Sequence, residues 1–113
     1  MFSVERLADT IVITPQCDLD LASRDAFINT LEQALESAGT RIVVSLLECT
    51  YLDSSALSAL VLMRRKFKGS LLLVVPPDVA IARVFEVTNF SAVIPIFPTL
   101  DAAMVARSSA SDD

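Results

Sequence analysis

The chain has 113 residues, of which 53% are apolar and 20% charged, so it can form one domain with a packed core and does not have the composition of a disordered protein. Nine Lys and Arg residues against 14 Asp and Glu residues give a net charge of −5. This balance argues against nucleic acid as a direct partner, because binding to phosphate chains requires clustered basic side chains.

The N-terminal segment predicts two strands joined by a hairpin. Apolar residues alternate with polar ones at Phe2 and Val4, and again at Ile11 and Ile13, which is the pattern of half-buried strands. The residues 8–10 between them can turn the chain back on itself.

A helix is predicted after Ser23, which can cap it, and Gly39 stands just past its expected end. Apolar residues recur there at spacings of three and four, which places them on one helix face: Phe27, Leu31, Ala34, Leu35 and Ala38. The following run, 41–47, is almost entirely apolar, as in a strand that is covered on both faces.

Residues 54–68 predict a second helix with a broad apolar face. Its basic end, 64–68, suits the negative pole of the helix dipole, and Gly69 is expected to stop it. The apolar run 71–75 predicts another buried strand.

The C-terminal part predicts a helix, an edge strand and a last helix. Asp78 can cap the first of these helices, and Asn89 can adopt a left-handed conformation in the turn that follows it. The run 93–97 contains Pro95, so we expect it at an edge of the sheet. Thr99 can cap the last helix.

The predicted order is therefore β-β-α-β-α-β-α-β-α. Strand–helix–strand repeats with buried central strands require mostly parallel pairing and right-handed crossovers. We expect an α/β fold with a single mixed, mostly parallel sheet and helices packed on it. This domain should span residues 1–106, and the small polar residues 107–113 should form a flexible C-terminal tail.

Cys17 and Cys49 could pair, but a domain of this size needs no disulfide, and two buried free thiols in a reducing cytoplasm are the preferred interpretation. The N-terminus lacks the apolar core of a signal peptide. The longest apolar runs, such as 71–75, are far shorter than the ~20 residues that span a bilayer. We therefore expect a cytoplasmic protein without membrane insertion.

Three small polar residues, Asp53, Ser54 and Ser55, stand together at the start of the second helix. One of them can serve as an ordinary N-cap, and capping does not require the other two. If Asp53 is the cap, Ser55 lies in the first turn with its hydroxyl near solvent. That position follows a strand's carboxyl end, where ligands and partners usually meet α/β proteins. The pattern leaves both a simple cap and a functional hydroxyl open.

A catalytic role for the Ser55 hydroxyl is disfavoured, because a nucleophilic serine needs a base to activate it. The chain has no histidine, and Lys66 and Lys68 lie roughly 16–20 Å down the helix at 1.5 Å per residue. A phosphoryl group is chemically acceptable there, since the helix dipole and free N–H groups tolerate its roughly −1.5 to −2 charges. Such a group beside Asp53 would repel a docked partner without melting the helix.

The segment Cys17-Asp18-Leu19-Asp20 is a second polar group. We interpret it as a polar loop, because two acids and a thiol without further well-spaced ligands make a weak metal site. Neither glycine lies in a phosphate-cradling motif. We expect no metal and no cofactor.

The stretch 51–75 resembles the signature of anti-sigma-factor antagonists, the STAS domains of bacterial partner-switching systems. In that signature a D-S-S-G-L segment opens a helix between two apolar strands, as YLDSSAL does here. The segment 17–23 is similar to the family's G-E-L-D segment, and 76–104 is similar to its closing part. The resemblance covers roughly residues 2–106.

The resemblance implies the STAS fold and a regulatory protein that is not an enzyme. Ser55 matches the serine that a cognate serine kinase phosphorylates. That kinase usually doubles as an anti-sigma factor, binds the unphosphorylated antagonist and releases the phosphorylated one, and a serine phosphatase resets the cycle. Asp20 and Asp53 match acidic residues near the site, and Asp53 would position the hydroxyl. With Ser54 and Ala56 they form the expected partner-binding set.

The chain departs from the family pattern at Cys17 and Asp18, which replace Gly and Glu, at Ser45, which replaces an acid, and at Ala56, which replaces Gly. Alanine fits the first turn of a helix.

An alternative function for the same fold is an accessory subunit of a membrane transporter, such as an ABC-type lipid exporter, docked on a cytoplasmic ATPase.

Overall fold

A computed structural model describes residues 1–37 and 41–106. The elements are β1 (Phe2–Leu7), β2 (Thr10–Pro15), α1 (Arg24–Ser37), β3 (Arg41–Ser45), α2 (Ser54–Lys66), β4 (Ser70–Val74), α3 (Ala80–Val87), a 3-10 turn (Phe90–Ala92), β5 (Ile96–Phe97) and α4 (Leu100–Val105). The predicted order is confirmed, with the 3-10 turn as an addition. Ala38 and Gly39 at the expected end of α1, and the expected tail 107–113, lie outside the described residues.

The strands form one sheet in the order β1-β2-β3-β4-β5. β1 pairs antiparallel with β2, and each later neighbour pairs parallel, so the mixed, mostly parallel sheet is confirmed. The β1–β2 connection is the two-residue loop 8–9, because Leu7 faces Thr10. Ala8 adopts φ 58° there, the left-handed geometry that tight hairpins require.

The sheet separates two layers of apolar side chains. On one face, residues such as Ile13, Val44 and Leu73 pack against α1, α2 and α3. On the other face, alternate residues such as Val43 pack against α4 through Ala103. Since successive strand residues point to opposite faces, central strands covered on both sides must be almost wholly apolar. The runs 41–47 and 71–75 therefore identified the centre of the sheet correctly.

Two helix boundaries were predicted wrongly. α2 ends at Lys66 and not at Gly69, because Phe67 turns to an extended conformation with φ −87° and ψ 125° and lies buried against the core. Asp78 does not cap α3. The N-cap is Val79, which is itself extended at φ −101° and ψ 161°; its carbonyl accepts from the Ala82 N–H at 3.1 Å, and its side chain makes no capping hydrogen bond.

Other local predictions are confirmed. Asn89 adopts the left-handed conformation with φ 54° and ψ 40°, and the Thr99 hydroxyl accepts from the Ala102 N–H at 3.1 Å. The strand predicted at 93–97 lies at the sheet edge but is limited to Ile96–Phe97, so Pro95 directly precedes it. The predicted cap at Ser23 is confirmed only for the backbone. The Ser23 carbonyl accepts from the Phe27 N–H at 2.9 Å, but its hydroxyl donates to the Asp18 carbonyl at 2.7 Å, so the side chain braces the preceding loop.

Candidate functional site

The two polar groups singled out in the sequence meet at one edge of the sheet. β2 and β3 are parallel, so the segments that follow them leave from the same edge. Leu19 N–H donates to the Tyr51 carbonyl at 2.9 Å, and Asp53 N–H donates to the Leu19 carbonyl at 3.0 Å. These bonds form a parallel bridge between Leu19 and Leu52, both of which are buried. The loop before α1 is thereby joined to the start of α2.

Of the three residues that the sequence offered as a cap, Asp53 is the N-cap of α2. Its backbone is extended at φ −123° and ψ −172°, and its Oδ1 accepts from the Ser55 N–H at 3.0 Å. Its carbonyl accepts from the Ala56 N–H at 3.1 Å. The carboxylate therefore pairs one of the free N–H groups of the first turn, which is why the helix begins at Ser54.

The hydroxyl of Ser55 donates a hydrogen bond to the same Oδ1 of Asp53. Ser55 is half-buried and Ser54 is exposed, so the Ser55 hydroxyl is held at the surface in a defined orientation. This hydrogen bond is the main reason that the pKa of Asp53 is lowered; burial opposes the shift, and the N–H groups of Ser55 and Ala56 add to it. Asp53 is therefore ionised at neutral pH, where it can only accept hydrogen bonds.

Asp20 lies close to this site through the backbone of Leu19 but does not bond to Ser55. Its Oδ1 accepts from the Ser23 N–H at 3.1 Å, so its carboxylate organises the turn before α1. Asp18 joins the two loops directly, since its Oδ1 accepts from the Thr50 hydroxyl at 3.2 Å. The acids of the first loop thus shape the edge around the serines.

Ala56 is only 2% exposed and belongs to the core beneath α2. Its side chain is therefore not available to a partner, which could reach this position only through the backbone. The small methyl group lets the first turn of the helix lie close against the sheet. The family resemblance placed Ala56 in the expected partner-binding set, and its burial limits that role to the backbone.

Both cysteines are free, but only Cys49 is buried; the prediction of a buried Cys17 is wrong, because Cys17 lies in the partly exposed loop. The Cys49 thiol donates to the Tyr51 carbonyl at 3.1 Å. Burial raises the pKa of Cys49, so this thiol stays protonated and behaves as a small apolar residue.

Over residues 1–37 and 41–106, no group of three or more His, Cys, Asp or Glu side chains could hold a metal ion.

Exposed apolar side chains lie in the two loops that meet at this edge, and the sequence did not single them out. Leu21, Leu47 and Tyr51 are 75%, 50% and 51% exposed. They lie in the same two loops as Asp18 and Asp53, where no periodicity distinguishes an exposed apolar residue from a buried one. In the sequence, these residues could have been recognised only as apolar residues next to polar turn residues.

No helix in the described part of the chain combines the length and the apolar character needed to cross a membrane.

Comparisons with known proteins agree with this architecture. The family model for the STAS domain matches residues 1–103, while no curated protein matches the chain. The Thermotoga maritima protein TM1081 superposes with a TM-score of 0.84 at 22% identity, covering 95% of this chain and 94% of that one. An anti-sigma factor antagonist from Mycobacterium paratuberculosis gives a TM-score of 0.88 at 20% identity, with 96% and 93% covered.

A third similar structure is the Bacillus cell fate determinant SpoIIAA in its phosphorylated form, with a TM-score of 0.67 at 20% identity and coverage of 93% of this chain and 97% of that one. Identities at this level show the shared fold. The structural neighbours are thus anti-sigma factor antagonists, and the family model covers nearly the whole chain. The chain belongs to the STAS domain family.

Proposed function

We propose that this protein is an anti-sigma factor antagonist that is switched by phosphorylation of Ser55 and acts by binding, not by catalysis. The observation that carries the proposal is the partly exposed Ser55 hydroxyl held by the carboxylate that caps its own helix. Unphosphorylated, the chain binds a serine-kinase anti-sigma factor in the cytoplasm. Phosphorylated, it is released, and a serine phosphatase restores the free hydroxyl.

The geometry suits a serine that accepts a phosphoryl group from a kinase-bound ATP. In the transfer, a bond forms from the Ser55 oxygen to the γ-phosphorus, the bond from that phosphorus to the ADP oxygen breaks, and the hydroxyl proton is released. Asp53 accepts the hydroxyl hydrogen bond, which leaves the serine lone pairs free for the phosphorus. Its lowered pKa makes it a weak base, so Asp53 is a positioning residue.

The same geometry explains how a phosphate would change binding without changing the fold. The N-terminal end of α2 favours negative charge, so the helix is not destabilised. However, the phosphate replaces a hydroxyl that donated to Asp53 with a dianion that repels it. The loops around it add Asp18 and Glu48, both exposed. A partner that docks on this edge therefore meets a strongly negative surface after phosphorylation.

The proposal is tested by incubating the protein with its cognate serine kinase and ATP and mapping the phosphate by mass spectrometry. We expect a single phosphate on Ser55. Ser54→Ala is the matched control for the position of the phosphate, because it removes the neighbouring hydroxyl and should still carry the phosphate on Ser55, whereas Ser55→Ala should not be labelled. A Ser55→Ala protein labelled as well as the wild type would contradict the proposal.

Binding provides a second measurement. Ser55→Asp should weaken the complex with the serine kinase that binds the unphosphorylated chain. One added charge imitates the two charges of a phosphate incompletely. Binding to a transporter ATPase that survives Ser55→Glu unchanged would instead favour the accessory-subunit function.

A further inference from the structure

A shallow, open depression of about 430 Å³ lies on the outer side of α2, and residues of this helix line it. Its lining consists of residues at helical spacings of three and four: Ser54, Leu57, Ser58, Val61, Leu62 and Arg65. This stripe, which we call the α2 stripe, covers three turns and ~16 Å at 1.5 Å per residue. Its middle is apolar, its first turn carries hydroxyls, and its end is basic.

We propose that the α2 stripe docks an amphipathic helix of the kinase partner, with acidic residues at the end that meets Arg65. The inference rests on the proposed function for the identity of the partner and adds the surface and the chemistry that hold it. It places the contact along the length of α2, beyond the serine at its start.

The shape of the α2 stripe fits a helix. Leu57 and Val61 are half-buried and packed against the core, so they present a rigid base, and Leu62 is 39% exposed beside them. Apolar side chains at these spacings form the ridge that a second helix packs against. A partner helix of roughly 11 residues would cover the stripe.

The positive charge at the C-terminal end of α2 favours acidic residues in the part of the partner helix that meets it. The last turn of α2 carries Arg64, Arg65 and Lys66. Lys66 is already paired with Glu32 at 3.1 Å, whereas Arg65 has no ion-pair partner among the described residues. The α2 stripe itself contains no acidic side chain. In a protein of net charge −5, this end of α2 is a surface on which an acidic segment is attracted and not repelled.

The orientation of the partner helix follows from its dipole. Acidic residues favour the N-terminal turn of a helix, so a helix whose acidic end meets Arg65 runs antiparallel to α2. Its C-terminal end, the negative pole, then lies beside Ser54 and Ser55. A phosphate on Ser55 repels that pole, so the docked helix and the modified serine exclude one another. The α2 stripe thus supplies a physical reason for release.

Paired substitutions test this surface, with the serine kinase that labels Ser55 as the probe and calorimetry as the measurement. Leu62→Asp should weaken binding about tenfold or more, whereas Val105→Asp, which makes the same change at an exposed position of α4, should stay within about twofold. Arg65→Glu should also weaken binding about tenfold, with an effect that shrinks in high salt, and Lys68→Glu, the same charge change outside the stripe, should have little effect. Circular dichroism verifies that each variant is folded.

A photo-crosslinking residue in place of Ser58 provides a measurement that does not depend on loss of binding. The expected crosslink joins this position to a kinase segment with helical apolar spacing and Asp or Glu in its first turn. The same residue in place of the exposed Glu36 of α1 should not crosslink. If Leu62→Asp folds poorly, Leu62→Ser replaces it.

The outcomes separate this inference from the proposed function. Wild-type binding by Leu62→Asp and Arg65→Glu, with Ser55 still labelled, overturns the docking proposal and leaves the serine switch standing. If no serine kinase binds or labels the wild-type chain, both the docking proposal and the proposed serine switch are overturned.

Discussion

The Oδ1 atom of Asp53 accepts two hydrogen bonds from Ser55, one from its hydroxyl and one from its backbone N–H at 3.0 Å. A single carboxylate oxygen thus starts the helix and orients the side chain that we propose to be modified. A simple cap and a functional hydroxyl were alternatives in the sequence; in the structure Asp53 both caps α2 and holds the Ser55 hydroxyl.

Substitution of Asp53 separates its two roles. Asparagine is as good an N-cap as aspartate, whereas alanine is not. We expect Asp53→Asn to keep the thermal unfolding midpoint close to that of the wild type and Asp53→Ala to lower it. Both should slow phosphorylation of Ser55 on the order of tenfold or more, because the hydroxyl loses its ionised acceptor. Initial rates of phosphate incorporation and thermal melts measure the effects; an Asp53→Asn protein labelled at the wild-type rate contradicts the positioning role.

The Asp53–Ser55 contact also predicts a dependence on pH. Because the pKa of Asp53 in the folded chain lies below its ordinary value of 3.8, the unfolded chain binds the proton more readily. The contribution of Asp53 to stability is therefore complete above that value and is lost as the pH falls through the folded-state pKa. In Ser55→Ala the pKa should return toward 3.8, because the largest cause of the shift is removed. Carboxyl NMR titration of both proteins measures this; identical pKa values would be inconsistent with the contact.

The two cysteines should differ in reactivity. Cys17 is partly exposed, whereas Cys49 is 3% exposed and burial raises its pKa, so less thiolate is present and the reagent has less access. We expect a thiol reagent to modify Cys17 at least about tenfold faster than Cys49 in the folded protein. Peptide mass spectrometry over time measures the two rates. The difference should disappear in denaturant, and equal rates in the native protein would refute the burial of Cys49.

Ser45 ends β3 with a hydroxyl that has no hydrogen-bond partner among the described residues, although the residue is only 2% exposed. A buried polar group without a partner costs stability. Ser45→Ala should therefore raise the free energy of unfolding by about 1 kcal/mol, measured by urea denaturation. Ser91→Ala, at an exposed position, should change it by less than about 0.5 kcal/mol. Destabilisation by Ser45→Ala would show that the hydroxyl is bonded in solution.

Local patterns were sufficient to predict the order of elements and the cap at Thr99, and they limited the cap of α2 to residues 53–55. A cap depends on atoms two or three residues away, as in the bonds from Ser55 N–H and Ala102 N–H, and a strand buried on both faces is almost wholly apolar. Such features depend mainly on neighbouring residues, although the sequence also offered caps at Ser23 and Asp78 whose side chains do not cap their helices.

Only the tertiary structure decided how these elements form a site. The bridge between Leu19 and Leu52 depends on parallel pairing of strands that are distant in the chain, and α2 ends where Phe67 enters the core. The burial of Ala56 and the exposure of Leu62 depend on which side of α2 the sheet and the other helices cover. A helical pattern shows that an apolar face exists, but packing determines which part of that face stays open to a partner.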